Sequence, residues 1–323
     1  MTGLGVAGLL NARFICTSCR ASGSWIAVTR PLPRQNSSIQ RLRCVRCQEQ
    51  IVAKVSRRDD LRSDARAESR REYETLCTLQ RVFPQDEHFG TLLSLGYLES
   101  AGRGIMVTRH FCGDNLAQHL RSLGEPDARE ACRAAGVWLR KLHQSGDPDV
   151  QMQMLGVADK LDYLAVTYGA VLRRDRETWT AYRCLEQTGL RMDAREFAGV
   201  RQHGDFKPQN MLCDGTRYIG LDIHWQSIGP AVYDLAPFLN HLWLVCRTFG
   251  SLLTNRHYLQ RESMFLAGYG YGNDPQAVYW AQLYFALCYL GAYRQKGRLA
   301  ANYARWRIGP LVRELARRLE EVS

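Results

Sequence analysis

No stretch of these 323 residues reaches the roughly 20 uninterrupted apolar positions that a membrane-spanning helix needs. The run from Val278 to Tyr293 comes closest, but it contains Gln282 and reads as a buried helix. The opening Met1-Thr2-Gly3-Leu4-Gly5-Val6-Ala7-Gly8-Leu9-Leu10 is apolar yet lacks the basic flank of a secretion signal. Internal repeats, low-complexity tracts and long Pro/Gly/Ser linkers are missing too, which disfavours solenoids and loosely tethered domains. Even the cysteines, 11 in number and scattered from Cys16 to Cys288, make no disulfide framework. A soluble cytoplasmic protein is expected. With 46% hydrophobic and 23% charged residues it can bury two sub-cores but hardly three domains.

What is present is concentrated in His203-Gly204-Asp205-Phe206-Lys207-Pro208-Gln209-Asn210-Met211-Leu212. A carboxylate, a lysine and a metal-capable amide share one short loop leading into an apolar strand, as a phosphoryl-transfer loop requires. Asp205 can accept or orient the proton of an attacking hydroxyl. Asn210, five residues on (210 − 205), can help hold Mg²⁺ against nucleotide phosphates. Tyr218-Ile219-Gly220-Leu221 then reads as a short strand with Asp222 at its end, twelve residues past Asn210 (222 − 210) and placed to complete a metal site. The competing reading is a polar turn with Asp205 as a local cap and Asn210 in the turn. The second carboxylate makes the catalytic reading the preferred one.

These residues resemble the aminoglycoside phosphotransferase family of small-molecule kinases, which share the protein-kinase fold. Gly229-Pro230 and Asp234-Leu235-Ala236 match that family's later segment. The resemblance implies an α+β, two-lobed protein-kinase-like fold. Residues 1–110 would form a small β-rich N-lobe of nucleotide-binding strands and one helix; residues 111–323 would form a larger, mostly helical C-lobe with the catalytic loop, metal site and acceptor-binding helices. It further implies Asp205 as catalytic base, Asn210 and Asp222 as Mg²⁺ ligands, His203 and Asp234 as structural supports of the loop, and ATP as phosphate donor. Lys207 stands where Ser/Thr protein kinases carry a lysine that meets the transferred phosphate, so catalysis competes there with a solvated loop lysine.

A kinase-like site also needs a cation on the nucleotide phosphates, pinned by a carboxylate from a neighbouring helix. Ile51-Val52-Ala53-Lys54-Val55 fits the strand, its alternation placing Lys54 on the face opposite Ala53 and Val55. Residues 62 to about 81 read as a helix in which Glu72, followed by Leu76 and Leu79, is the preferred partner of Lys54, with Glu68 and Glu74 as alternatives. No glycine-rich loop precedes Lys54. The corresponding stretch is Arg34-Gln35-Asn36-Ser37-Ser38-Ile39, where Ser37 and Ser38 would have to supply turn geometry and nucleotide contacts. Strands are expected at 12–17, 24–30, 39–46, 50–55, 91–97 and 104–109, the last leading into a hinge at His110. Beyond it, Asn115 should cap a helix to about 122, a second helix should span 127–144 with His143 in packing, and residues 151–200 and 255–323 should be helical.

The intervals bear on the acceptor. Only eleven residues separate Asp222 from Asp234 (234 − 222 − 1), too few for the long segment on which protein kinases dock a peptide. Gly204 occupies the position where many regulated protein kinases carry an arginine that reads a phosphate. A small hydroxylated molecule is therefore the expected acceptor. Residues 255–323 hold ten Lys and Arg against five Asp and Glu and the whole chain is +11, which favours a neutral or anionic sugar, headgroup or metabolite alcohol over a polycationic antibiotic. The charge also raises a nucleic-acid-binding alternative, disfavoured here, and a catalytically silent nucleotide- or partner-binding protein is another. Two Cys-x-x-Cys pairs, Cys16/Cys19 and Cys44/Cys47, lie twenty-four residues apart (44 − 19 − 1), near zinc-ribbon spacing. Neither second cysteine is followed by the usual glycine, so free core or hairpin thiols are preferred over zinc.

Overall fold

A computed structural model describes residues 6–34, 36–56, 64–146, 152–225, 227–247, 255–270 and 274–323. The chain divides into two units, Met1–Gly113 with Ile219–Ile223, and Asp114–Tyr218 with His224–Ser323. The first contains α1 (Val6–Arg13), β1 (Trp25–Ala27), β2 (Leu32–Pro33), β3 (Ser37–Cys44), β4 (Gln50–Ser56), α2 (Ala65–Val82), β5 (Phe89–Thr91), β6 (Ser94–Ser100) and β7 (Arg103–Arg109). An antiparallel sheet runs β1-β3-β4-β7-β6, with β2 paired to β3.

Period-two alternation gives this sheet two different faces. Leu42 pairs with Ile51 and Gln40 with Ala53, so Leu42, Ile51, Ala53 and Val55 turn to one side, where Leu10 of α1, Trp25, Ile105 and Val107 complete a buried core. Ile39 pairs with Lys54, which puts Lys54 on the other side, where Glu72 of α2 meets it. The side chain of Asp64 caps α2 by accepting from the Ala67 N–H.

Three expectations for this unit need correction. Residues 12–17 are not a strand: α1 runs to Arg13, and the Cys16 backbone bonds to Ala21 and Arg20 in a turn instead of a ladder. The strand expected at 24–30 stops at Ala27, and the chain re-enters the sheet as β2. The strand expected at 91–97 is divided between β5 and β6. The first two residues of the expected helix, 62 and 63, lie outside the described residues.

The second unit comprises β8 (Asp114–Asn115), α3 (Leu116–Ser122), α4 (Glu125–Gln144), β9 (Met152–Met154), α5 (Val157–Leu172), α6 (Arg176–Met192), β10 (Glu196–Arg201), a 3-10 turn (Pro208–Asn210) and β11 (Met211–Cys213). After β12 (Tyr218–Gly220), which runs into the returning segment of the first unit, come β13 (Ile228–Pro230), α7 (Val232–Cys246), α8 (Arg256–Tyr269), α9 (Pro275–Gln295), α10 (Arg298–Arg307) and α11 (Gly309–Glu321). Asn115 caps α3 as its sequence suggests, accepting from the Gln118 N–H. Residues 151–200 are not wholly helical, because β9 and β10 pair antiparallel through Glu196 and Met154, and β10 pairs in turn with β13. That pairing positions the site: Arg201 opposite Ile228 sets the start of the 203–212 loop beside the start of α7.

The core of this unit is aromatic. Trp138 stacks on Phe206, Phe206 on Phe238, and Phe238 on Phe265, with ring centroids 5.6, 5.0 and 4.1 Å apart. Helices α4 and α8 approach so closely that a Cβ on Gly136 would lie 2.1 Å from the Phe265 carbonyl oxygen. No described helix is long and apolar enough to cross a membrane.

Candidate active site

Two polar centres contain the residues singled out from the sequence. In the first unit, Lys54 Nζ lies 2.7 Å from Glu72 Oε1 and 2.7 Å from Asp222 Oδ1. Burial works against the ammonium charge, but Glu72 and then Asp222 outweigh it and raise the Lys54 pKa above its ordinary value. Of the three candidate glutamates, Glu72 is the one that bonds Lys54 in the structure, while Glu74 pairs with Arg70. Asp222, two residues past the end of β12, is in left-handed backbone (φ 50°), an uncommon conformation for a non-glycine residue and one that recurs at functional sites. Ser37 is opposite Ser56 at the start of β3 and shares the Lys54 side of the hairpin; Ser38, opposite Val55, belongs to the other side.

In the second unit the loop after β10 is tied down from below by Asp234. This carboxylate is buried in the first turn of α7 and accepts from the His203 N–H at 2.6 Å, the Gly204 N–H at 2.9 Å and His143 Nε2 at 2.9 Å. Burial alone would raise its pKa, yet the bond and charge of His143, with His203 and the Gly204 N–H, hold it below the ordinary carboxylate value. His143 does more than pack, contrary to the sequence expectation: its Nδ1 also lies 2.8 Å from the Tyr269 hydroxyl, so it orients Asp234 through a buried relay. Gly204 has φ +86°, and a Cβ there would sit 3.1 Å from that of His224. Glycine is required by this bend, whatever it implies about regulation.

Asp205 presents the opposite environment. Its side chain is 44% exposed, and one oxygen, Oδ2, accepts from Lys207 Nζ at 2.6 Å and Asn210 Nδ2 at 2.9 Å. Asn210 Nδ2 also donates to the Asp205 carbonyl at 2.9 Å, which closes the loop on itself and leaves the amide oxygen for a further ligand. Between the polar groups, Phe206 is fully buried in the aromatic stack. It anchors the loop, so that Asp205 and Lys207 project from a fixed backbone.

Sequence reasoning missed Phe206 as an anchor and His241 as a neighbour of the loop; Tyr289, one of the C-terminal aromatics read mainly as core, is a second neighbour. Burial pushes the His241 imidazole down to about 4, with the Lys207 charge adding and Asp205 opposing. Burial and then the Asp205 charge raise the Tyr289 phenol. The His241 and Tyr289 rings meet edge-on at 5.5 Å. The one available signal was helical spacing from Asp234 to His241, seven residues or about two turns (241 − 234).

The four cysteines of the two Cys-x-x-Cys pairs also converge, in the first unit and away from Lys54, on the opposite face of its sheet.

This fold is kinase-like, and comparison with solved structures agrees. A thermostable mutant of the aminoglycoside phosphotransferase APH(4)-Ia, solved with AMP-PNP and hygromycin B, aligns with TM-score 0.61 at 15% identity over 96% of this chain and 98% of that one. A choline/ethanolamine kinase family protein from Mesorhizobium loti aligns with TM-score 0.53 at 17% identity over 90% of each chain. Amicoumacin kinase hAmiN, solved with AMP-PNP, Ca²⁺ and Ami, gives TM-score 0.55 at 12% identity over 91% of this chain and 88% of that one. A search of curated proteins finds no match. The family model of the phosphotransferase enzyme family matches residues 49–272, and the chain belongs to that family.

Proposed function

We propose that the protein transfers the γ-phosphate of ATP to a hydroxyl of a small molecule, with Asp205 as the general base. The observation that carries this reading is the Asp205 carboxylate, half-exposed at one end of a rigid loop and held through a single oxygen by Lys207 and Asn210. Its other oxygen, Oδ1, is the atom that takes the acceptor proton. As that proton leaves, the acceptor oxygen bonds to the γ-phosphorus, the bond from phosphorus to the β,γ-bridging oxygen breaks, and ADP departs.

The remaining residues take supporting roles. Lys54, with its charge reinforced by Glu72 and Asp222, sets a cation against the nucleotide phosphates; Ser37 contributes from the same side of the hairpin, and Ser38, whose side chain belongs to the other side, contributes through its backbone. Lys207 is placed to move from the base toward the transferred phosphate. Asn210 and Asp222 supply the hard oxygen donors that Mg²⁺ prefers, and they would hold it. Mg²⁺, when bound, neutralises charge on the β- and γ-phosphates. Residues 1–110 serve nucleotide binding in this reading, and the acceptor belongs to residues 111–323.

His241 and Tyr289, the aromatic neighbours of the loop, suit a neutral hydroxylated acceptor, because they offer ring faces and edges. Sugars, amino alcohols, headgroup alcohols and antibiotics are therefore to be screened with Mg²⁺ and ATP, and products read by mass. One added phosphoryl group on an acceptor, dependent on both Mg²⁺ and ATP, supports the proposal. ATP consumption with no modified acceptor, from these classes or from cell extract, counts against it.

A further inference from the structure

The phosphotransferase family match begins at residue 49, and immediately before it lies a second constellation that the proposed chemistry does not use. The Sγ atoms of Cys16, Cys19, Cys44 and Cys47 all lie within 4.8 Å of one another. Cys16 Sγ is 3.4 Å from Cys47 Sγ, and Cys19 Sγ is 3.6 Å from Cys44 Sγ. Both separations are far above the roughly 2.05 Å of a disulfide bond. They are close to the edge of about 3.8 Å that follows for a tetrahedron of four sulfurs at about 2.3 Å from a central zinc. A two-iron or four-iron cluster would hold its cysteines further apart than this spread.

The backbone around the two pairs is duplicated. The Cys16 N–H donates to the Ala21 carbonyl and the Cys44 N–H to the Glu49 carbonyl, each five residues on and each at 2.9 Å. The Arg20 N–H returns to the Cys16 carbonyl at 2.9 Å and the Gln48 N–H to the Cys44 carbonyl at 3.0 Å. In each turn the backbone N–H groups two and three residues past the first cysteine, Ser18 and Cys19 or Arg46 and Cys47, point at its sulfur. Donors of this kind stabilise a thiolate ligand.

The match between the two turns extends one residue further. The residue after the second cysteine is in left-handed backbone in both turns, at φ 57° for Arg20 and φ 66° for Gln48. This is the conformation that the missing glycines would have supplied, and arginine and glutamine adopt it here against their intrinsic preference. The absent glycines, which made zinc the weaker reading of the sequence, are replaced by glycine-like geometry.

We propose that Cys16, Cys19, Cys44 and Cys47 form a closed tetrahedral structural zinc site, which clamps the turn after α1 to the β3–β4 hairpin. Binding displaces four thiol protons and leaves a complex of net charge −2 (2 − 4). The present bond from Cys16 Sγ to Glu49 is then lost, but Glu49 keeps the Ser18 N–H at 3.3 Å, the Thr17 hydroxyl at 3.3 Å and Arg109 at 3.4 Å. Cys16 and Cys44 are fully buried in the core behind the Lys54 strand, Cys19 is half-buried and Cys47 exposed. The metal therefore stiffens the sheet from the face opposite Lys54 and takes no part in phosphoryl transfer.

The test is metal analysis of the whole chain purified without chelator. About one zinc per chain is expected, absent from a Cys19→Ser/Cys47→Ser variant and retained in Cys112→Ser, which changes an exposed cysteine outside the cluster. Because the double variant could misfold, wild-type protein reconstituted with Co²⁺ supplies an independent readout: strong thiolate-to-metal absorption with tetrahedral d–d bands. Iron at unit stoichiometry, disulfides linking these cysteines, or eleven reduced thiols with no bound metal after anaerobic zinc reconstitution would each overturn the site. None of these results bears on whether Asp205 is a base, so the two proposals fail separately.

Discussion

Asp234 and Asp205 are carboxylates of one loop system, yet their surroundings assign them opposite work. Asp234 is 1% exposed and accepts from three donors; Asp205 has a side chain 44% exposed and keeps one oxygen away from its two donors. A fully committed buried carboxylate holds a shape, and its removal leaves buried N–H groups and an imidazole without their acceptor. A half-exposed carboxylate on a rigid backbone can meet a substrate. Lys54 and its partners belong with Asp205 in this respect, because Asp222 is also half-exposed at 49%.

The comparison breaks most readily at Asp234. Asp234→Ala should lower unfolding stability by about 3–5 kcal/mol, visible as a lower urea midpoint. A change below about 1 kcal/mol would place Asp234 with the solvated carboxylates. Lys54→Met should do the reverse, lowering kcat/KM for ATP by on the order of 100-fold while leaving stability within about 1 kcal/mol. Equal losses in both quantities would erase the distinction.

Acid sharpens it further. His241 has its pKa lowered from 6.5 to about 4, so between these values the unfolded chain binds more protons and stability falls as pH drops through that window. The loss is on the order of 2 kcal/mol, allowing for the partial exposure of the ring. His241→Gln should flatten the profile between pH 6.5 and about 4, and an unchanged slope would remove His241 from the account. Asp234 has the same sign at lower pH: its depressed pKa contributes stability above about 3.8 that is lost as pH falls further. The smallest effect is expected from Gly204→Ala, roughly 1–2 kcal/mol from left-handed backbone at φ +86°. A neutral result in thermal unfolding would mean that the bend relaxes.

Much of this arrangement was legible in the sequence because it rests on short-range spacing. The interval from Asp205 to Asn210 is a single loop, the alternation at 51–55 fixes which side of β4 carries Lys54, and Asn115 caps its helix through local bonds. What stayed hidden depends on contacts across long separations. His143 meets Asp234 across 91 residues and Tyr269 across 126, so its apparent place in a helical core said nothing of its relay. Phe206 carries no role legible in the sequence, because its partners Trp138 and Phe238 stack on it from distant helices. The strand expected at 12–17 failed for a related reason: alternation needs a neighbouring strand, and the chain there bonds to itself around Cys16.

The central claim is tested most directly by the turnover of Asp205→Asn on an acceptor that the wild-type protein phosphorylates, with both proteins matched for thermal unfolding. The substitution keeps the size of the side chain and an oxygen for Lys207 and Asn210 but removes the base. A fall in kcat of about 100- to 10,000-fold at similar Tm is predicted. Turnover equal to that of the wild type would contradict the assignment of Asp205 as the base.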